Sequence, residues 1–419
     1  MRESVAERVD EDTLVLPASW LSKIVPHRDR TSGSVADVKP CEPPEALWRR
    51  VQAGWANLSE RAWTLATDPE LLQAALAWLG SEAPADLADI RVVGLASRLL
   101  AYDGGTPYDD AAEALVDLCV SRESLAFATE IALRSLQHNF DGKFDLIPHR
   151  VAPRAFAWPR PSTTPFTRLR TLLSIAPGQE YEAAAATVAS VDSRAKSATL
   201  VTAYLFPTER PWVDAAIAAL PKWGHFLGKP EFGLVLASVH ELAQLQALSQ
   251  IVRLGRIFDL ESQADGLAML VDGVGSTIGP VLVEAADQQF EQSHGRMWQA
   301  VALLPTDDAL DALLDRVEQR AITPLAMQAT RRFPQRALRL VTARLVQRPN
   351  ARFEILLRQV IAHHPAAVDA VMPTLSPPQR AVIAKLDTAA ATPPPADSAQ
   401  LPHVLVSPPW TQPAKAPEK

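Results

Sequence analysis

At 419 residues the chain is long enough for two or three globular domains or for one elongated array. Its net charge of −7 exerts no global pull toward nucleic acid or an acidic membrane. The two cysteines, Cys41 and Cys119, supply neither a metal-ligand spacing nor a disulfide framework, and strand-like β-branched or aromatic runs are scarce.

Residues 1–44 read as a loosely ordered leader without the apolar core of a signal peptide. Within it, one short apolar patch at 14–24, with Trp20, is suited to docking on the body. Helical repeats are expected over 45–140. Trp48, Trp55 and Trp63, spaced by seven and eight residues, share a helical face and read as core. Helices follow at 84–102, 109–120 and 124–139, and Cys119 joins Ala111, Leu115 and Leu118 on an apolar face as a buried thiol. The turn at 103–110 holds carboxylates but lacks the alternating ligands of a calcium loop.

Residues 141–165 break the pattern with five prolines and with aromatics interleaved among arginines. Such a stretch inside a compact chain is often functional. Arg150, Arg154, Phe156 and Trp158 are candidates for stacking on bases or clamping a partner peptide. The plainer alternative is an excursion pinned by its aromatics to neighbouring helices.

HEAT-like helical repeats are expected from 166 to 386. The spacing predicts helices from Phe166, over 181–191, 193–206 and 212–220, and one long leucine-rich helix over 234–254. From His294 onward a similar pattern restarts at Gly295, Thr323, Asn350 and Pro377, a period in the range of stacked arrays. Over 350–362, Phe353, Leu356, Leu357, Val360 and Ile361 form one apolar stripe. Over 307–319, Ala309, Leu310, Leu313, Leu314 and Val317 repeat it, with Thr306 as cap. Pro305, Pro324, Pro334, Pro349, Pro365 and Pro377 punctuate the series. A short hairpin cannot bury its own stripe, whereas stacking on neighbours can. The expected fold is all-α: an α-solenoid of HEAT-like hairpins with disordered N- and C-terminal tails, the latter alanine- and proline-rich over 387–419.

Catalytic motifs fail on inspection. His240-Glu241 starts a zincin pattern, but Gln244 stands where the second histidine belongs, leaving a histidine in an ordinary helix. Gly273-Val274-Gly275-Ser276 has a phosphate loop's glycines without its lysine or preceding strand, and reads as a helix junction before Gly279-Pro280. His363-His364 reads as a helix C-terminus with a partly buried capping histidine. No cofactor or metal site is expected, and an enzyme is not. No run approaches the roughly 18 apolar residues of a membrane span, so no membrane role and a cytoplasmic location are expected.

One charge asymmetry stands out. From Arg316 to Arg358 there are ten arginines and only two acids, Glu318 and Glu354. Arg332, Arg336 and Arg339, spaced four and three apart, are expected to project from one face, with Arg331, Arg344 and Arg348 extending it. Such a stripe suits an acidic partner or a phosphate backbone. Arginine stems covering apolar surface are the plain alternative.

The runs at 298–307 and 329–340, carrying Leu303-Leu304-Pro305-Thr306-Asp307 and Arg331-Arg332-Phe333-Pro334-Gln335-Arg336, resemble the helical-repeat part of bacterial MolR-type proteins. These are named after a molybdate-metabolism regulator and carry a domain of unknown function. The island at 401–410, Leu401-Pro402-His403 through Pro408-Pro409-Trp410, resembles the segment after those repeats. Members of that family often run further toward the C-terminus, and some carry a WGR domain, neither of which this chain shows. The resemblance leaves open a longer polypeptide or a stand-alone repeat module, and carries no catalytic residues over. The expected function is a non-catalytic scaffold holding a protein partner; the alternative is a nucleic-acid-associated regulator using the arginine face.

Overall fold

A computed structural model describes residues 10–28, 42–56, 68–82, 87, 89–100, 106–136, 165–191, 196–220, 230–251, 264–287 and 295–389. Among these the regular structure is helical, and no strand forms. The chain divides into a larger unit, residues 12–309, and a smaller one, residues 1–11 with 310–419.

The larger unit opens with a single helical turn, α1 (Ala18–Leu21), followed by α2 (Pro44–Ala56), α3 (Pro69–Leu79), α4 (Ile90–Leu100), α5 (Thr106–Arg122) and α6 (Leu125–Ser135). Proline in the first turn and a side-chain cap explain where these begin. Asp68 accepts from the Leu71 amide at 3.0 Å ahead of Pro69, and Ser124 accepts from Phe127 at 3.1 Å. Trp48 is core, as expected, but its aromatic partner is Trp78, edge-on at 4.9 Å; Trp55 is only half-buried, and Trp63 lies outside the described residues. Cys119 is buried, which pushes its thiol up to about 12 and leaves it unreactive.

After the described chain resumes, α7 (Pro165–Ile175), α8 (Gly178–Ser190), α9 (Lys196–Leu205), α10 (Arg210–Ala219), α11 (Pro230–Ser238), α12 (Leu242–Ile251), α13 (Ala264–Val274), α14 (Gly279–Asp287) and α15 (Gly295–Val301) follow. Helices here pack largely on the next but one: α4 on α6, α6 on α8, α7 on α9, α9 on α11, α11 on α13 and α13 on α15.

The long helix expected over 234–254 is in fact broken between Ser238 and Leu242, and His240 lies in the break rather than in a helix. Three contacts account for it. The Ala237 carbonyl is taken at 2.9 Å by the Arg170 guanidinium, and the His240 amide donates to the buried Gln244 side chain at 3.3 Å. Gly273 of α13 presses against the break: a Cβ there would lie 2.6 Å from the Val239 oxygen. Gly273→Ala is therefore expected to cost about 1–3 kcal/mol in thermal unfolding, since one backbone must move off the other. An unchanged melting temperature would show that the two backbones can separate without cost.

Gly275, at φ 75, lets a short 3-10 turn (Gly275–Ile278) join α13 to α14, the junction expected from the glycines. Contrary to expectation, one stretch, Gly266–Asp287, is long and apolar enough to cross a membrane; it is mostly buried in the protein and holds this turn.

The leader patch docks within this unit. Leu16, Ile24, Val25 and His27 are buried, and Arg28 donates to the Ala176 carbonyl at 3.2 Å while lying 4.4 Å from the Tyr181 ring centre.

In the smaller unit, reached through α16 (Asp307–Asp315), the helices are α17 (Thr323–Arg332), α18 (Pro334–Gln347), α19 (Ala351–His363), α20 (Pro365–Val371) and α21 (Pro377–Ala389). Helices begin at or beside each expected restart: Gly295, Thr323, Ala351 and Pro377. The stripe Phe353, Leu356, Leu357, Val360 and Ile361 is buried, and Asn350 caps α19 through the Arg352 amide at 2.8 Å. α18 packs against α17, α19, α20 and α21 and is the centre of the unit. The segment at 307–319 is helical only to Asp315. Beyond it, Thr323 donates its hydroxyl to the Val317 carbonyl at 2.8 Å, and turns replace the last helical turn.

Candidate functional site

The arginine-rich segment does not form one helical stripe. Phe333, at φ −122 and ψ 65, and Pro334 break the helix between Arg332 and Arg336. Arg331 and Arg332 end α17, where cations suit the negative end of the helix; Arg336 and Arg339 begin α18. Burial lowers the pKa of Arg332, whose guanidinium lies 5.7 Å from the Phe333 ring centre.

Several of these arginines are internal ties. Arg336 is only 7% exposed and donates to the Glu11 carbonyl at 3.3 Å. Arg344 holds two carboxylates, Nη2 to Asp311 at 2.8 Å and Nη1 to Asp315 at 2.6 Å. Arg352 spans Glu318 at 2.9 Å and the Val317 carbonyl at 2.7 Å. Asp311 and Asp315, just outside the arginine-rich window, thus neutralise Arg344, which reads as uncompensated in sequence. Arg339 is half-buried, its carbonyl accepting from Gln379 at 3.1 Å. Arg320, Arg331 and Arg348 remain exposed, Arg331 reaching Gln359 at 3.4 Å. Arg150, Arg154, Phe156 and Trp158 lie outside the described residues, as does the island at 401–410.

Glu11 is the residue that sequence reasoning missed in this unit. Its carboxylate accepts from the backbone amides of Gln335 at 2.7 Å and Arg336 at 3.0 Å, the first turn of α18. A carboxylate there satisfies two orphan amides and complements the positive end of the helix. His364, which caps α19, feels this charge. Burial lowers its pKa, with His363 and Arg331 acting the same way and Glu11 opposing.

Two polar clusters occupy the larger unit. The first surrounds Arg170 of α7, 2% exposed. Its guanidinium donates to the carbonyls of Tyr204 at 3.1 Å, Ala237 at 2.9 Å and Pro26 at 3.1 Å, and lies 4.7 Å from the Tyr204 ring centre. Burial lowers the pKa of Arg170, while Tyr204 and Asp272 oppose it. His27 and Asp272, both buried, face each other at 3.9 Å. The sequence carried a signal for this cluster: Arg170 stands on the stripe of Phe166, Leu169 and Leu173, an arginine at a core position.

The second cluster lies along α5, where Asp110, Glu113 and Asp117 are about one turn apart. Arg168 grips Asp117 with Nε at 2.7 Å and Nη2 at 3.0 Å. Arg50 binds Asp110 and, at 3.0 Å, Glu42. Among the described residues no hydrogen bond or ion pair reaches Glu113 between them. Burial pushes its carboxyl up to about 7, with Arg168 opposing and Asp117 and Asp110 reinforcing.

No group of three or more histidine, cysteine, aspartate or glutamate side chains suited to a metal occurs among the described residues. The interior space lined by Ser97, Leu115, Cys119 and Phe166 is about 10 Å³, room for one water and no organic ligand.

Residues 46–254, just under half of the chain, are similar to the family described as the YehI second domain. The match lies within the larger unit and includes Arg170 and Glu113, but not the arginine-rich segment. No curated protein and no solved structure matches the chain.

Proposed function

We propose that the chain is a non-catalytic scaffold, an α-solenoid of HEAT-like hairpins that holds a protein partner through the arginine-bearing surface of the smaller unit. The observation that carries this reading is the regular restart of helices at Gly295, Thr323, Ala351 and Pro377. Packing of helices on the next but one in the larger unit supports it, since each repeat of a solenoid contacts its neighbours in that way. The resemblance to MolR-type repeats points to the same architecture. The pairing of Arg336, Arg344 and Arg352 with acids or carbonyls favours a protein partner over nucleic acid, because phosphate binding needs guanidinium groups left in water.

Affinity capture with the intact chain, with and without nuclease, tests this against Arg320→Glu/Arg331→Glu/Arg348→Glu. A protein partner that survives nuclease and is lost from the variant is the expected result. Loss on nuclease treatment, with steep salt dependence of RNA or DNA binding, would replace the scaffold by the nucleic-acid reading. Equal capture by both proteins would remove this surface from the account.

A further inference from the structure

We propose that the start of α18 is a binding site for an acidic peptide, and that the chain's own N-terminal segment occupies it in cis through Glu11. The inference rests on the scaffold reading and adds how its arginine-bearing surface is regulated. Glu11 is separated by 324 residues from Gln335, yet its two carboxylate oxygens take the two amides that open α18. The same segment presents its Glu11 carbonyl to the buried Arg336 side chain. The site therefore already holds what it is built to hold: a carboxylate and an adjacent peptide oxygen, read by two N–H groups and a guanidinium.

Cationic side chains stand beside the site. His364 feels both the Glu11 carboxylate and Arg331, and α17 carries Arg331 and Arg332 in its last turn. The occupant has the complementary sign, Asp10-Glu11-Asp12. A tethered segment meets its site at a high effective concentration, so a partner with a similar acidic run must displace it before binding. The N-terminal segment thereby acts as an autoinhibitory strap over the site.

The test uses the intact chain and a labelled, end-blocked synthetic peptide of residues 10–16, with binding read by fluorescence anisotropy. Glu11→Gln weakens the strap, so the variant is expected to bind the peptide about tenfold more tightly than wild type. A peptide carrying glutamine at the position of Glu11 should lose that gain. No gain in the folded variant overturns the proposal. If Glu11→Gln proves too unstable for titration, the peptide is expected to raise its melting temperature; no rise overturns the proposal equally. The scaffold reading is judged separately. A partner captured equally by wild type and Glu11→Gln leaves the scaffold and removes the strap, whereas peptide binding without any captured partner does the reverse.

Discussion

Arg170→Met is expected to destabilise the larger unit by about 3–5 kcal/mol, the cost of breaking a buried charge from its partners. The loss has several sources in one place. The Tyr204, Ala237 and Pro26 carbonyls lose their donor, and the buried Asp272 loses a nearby cation. Arg170→Lys should recover only part of this, because one compact ammonium cannot serve carbonyls on three separate segments. Chemical denaturation with a probe of the larger unit checks both variants. If Arg170→Met unfolds at the same denaturant concentration as wild type, the guanidinium is not the tie between α9, α11 and the leader that its bonds describe. Limited proteolysis offers a second reading, since the bonds at Pro26 and Ala237 hold the leader and the broken end of α11.

The second large effect depends on pH. The carboxyl of Glu113 is raised from an ordinary 4.5 to about 7, chiefly by burial. The folded protein thus holds this proton more tightly than the unfolded chain does. The associated stability is fully present below pH 4.5 and is lost as pH rises through about 7. At pH 8 the ionised carboxylate costs about 2–3 kcal/mol relative to its neutral form. Glu113→Gln, which stays neutral, should be more stable than wild type by that amount at pH 8 and nearly equal to it at pH 4. The groups facing the carboxyl are Arg168, Asp117, Asp110 and Arg50. A difference between the two proteins that is the same at both pH values would show that folding does not raise the Glu113 pKa.

Both effects concern residues whose surroundings come from distant parts of the chain. Arg170 is served by the leader, α9 and α11; Glu113 faces arginines from α2 and α7. Each is a charged group on a helix that is otherwise packed. Burying charge with carbonyl or counter-charge partners ties helices together in a fixed register, which apolar contact alone does less specifically. The same physics acts in the smaller unit, where Arg344 and Arg352 reach back to acids and carbonyls of α16 and the turns that follow it. Arginine in this chain therefore works largely as a connector between helices.

The sequence by itself determined the helical class, the helix starts after 294, and the identity of the buried stripes, because those depend on local spacing. Phe353, Leu356, Leu357, Val360 and Ile361 recur at one face of a helix whatever surrounds them, and proline at a first turn sets a boundary from within. Tertiary structure alone decided the rest. The helix expected over 234–254 is broken because Arg170 takes the Ala237 carbonyl and Gly273 admits the Val239 oxygen, and neither partner is near in sequence. The arginine stripe was read from a spacing of four and three that assumed one continuous helix, whereas Phe333 and Pro334 end one helix and start another. Its charge looked uncompensated because Asp311, Asp315 and Glu11 fall outside the counted window. Local periodicity records which face a helix buries; it holds no record of which distant carbonyl or carboxylate will meet a charged side chain, since only the folded chain brings them within bonding distance.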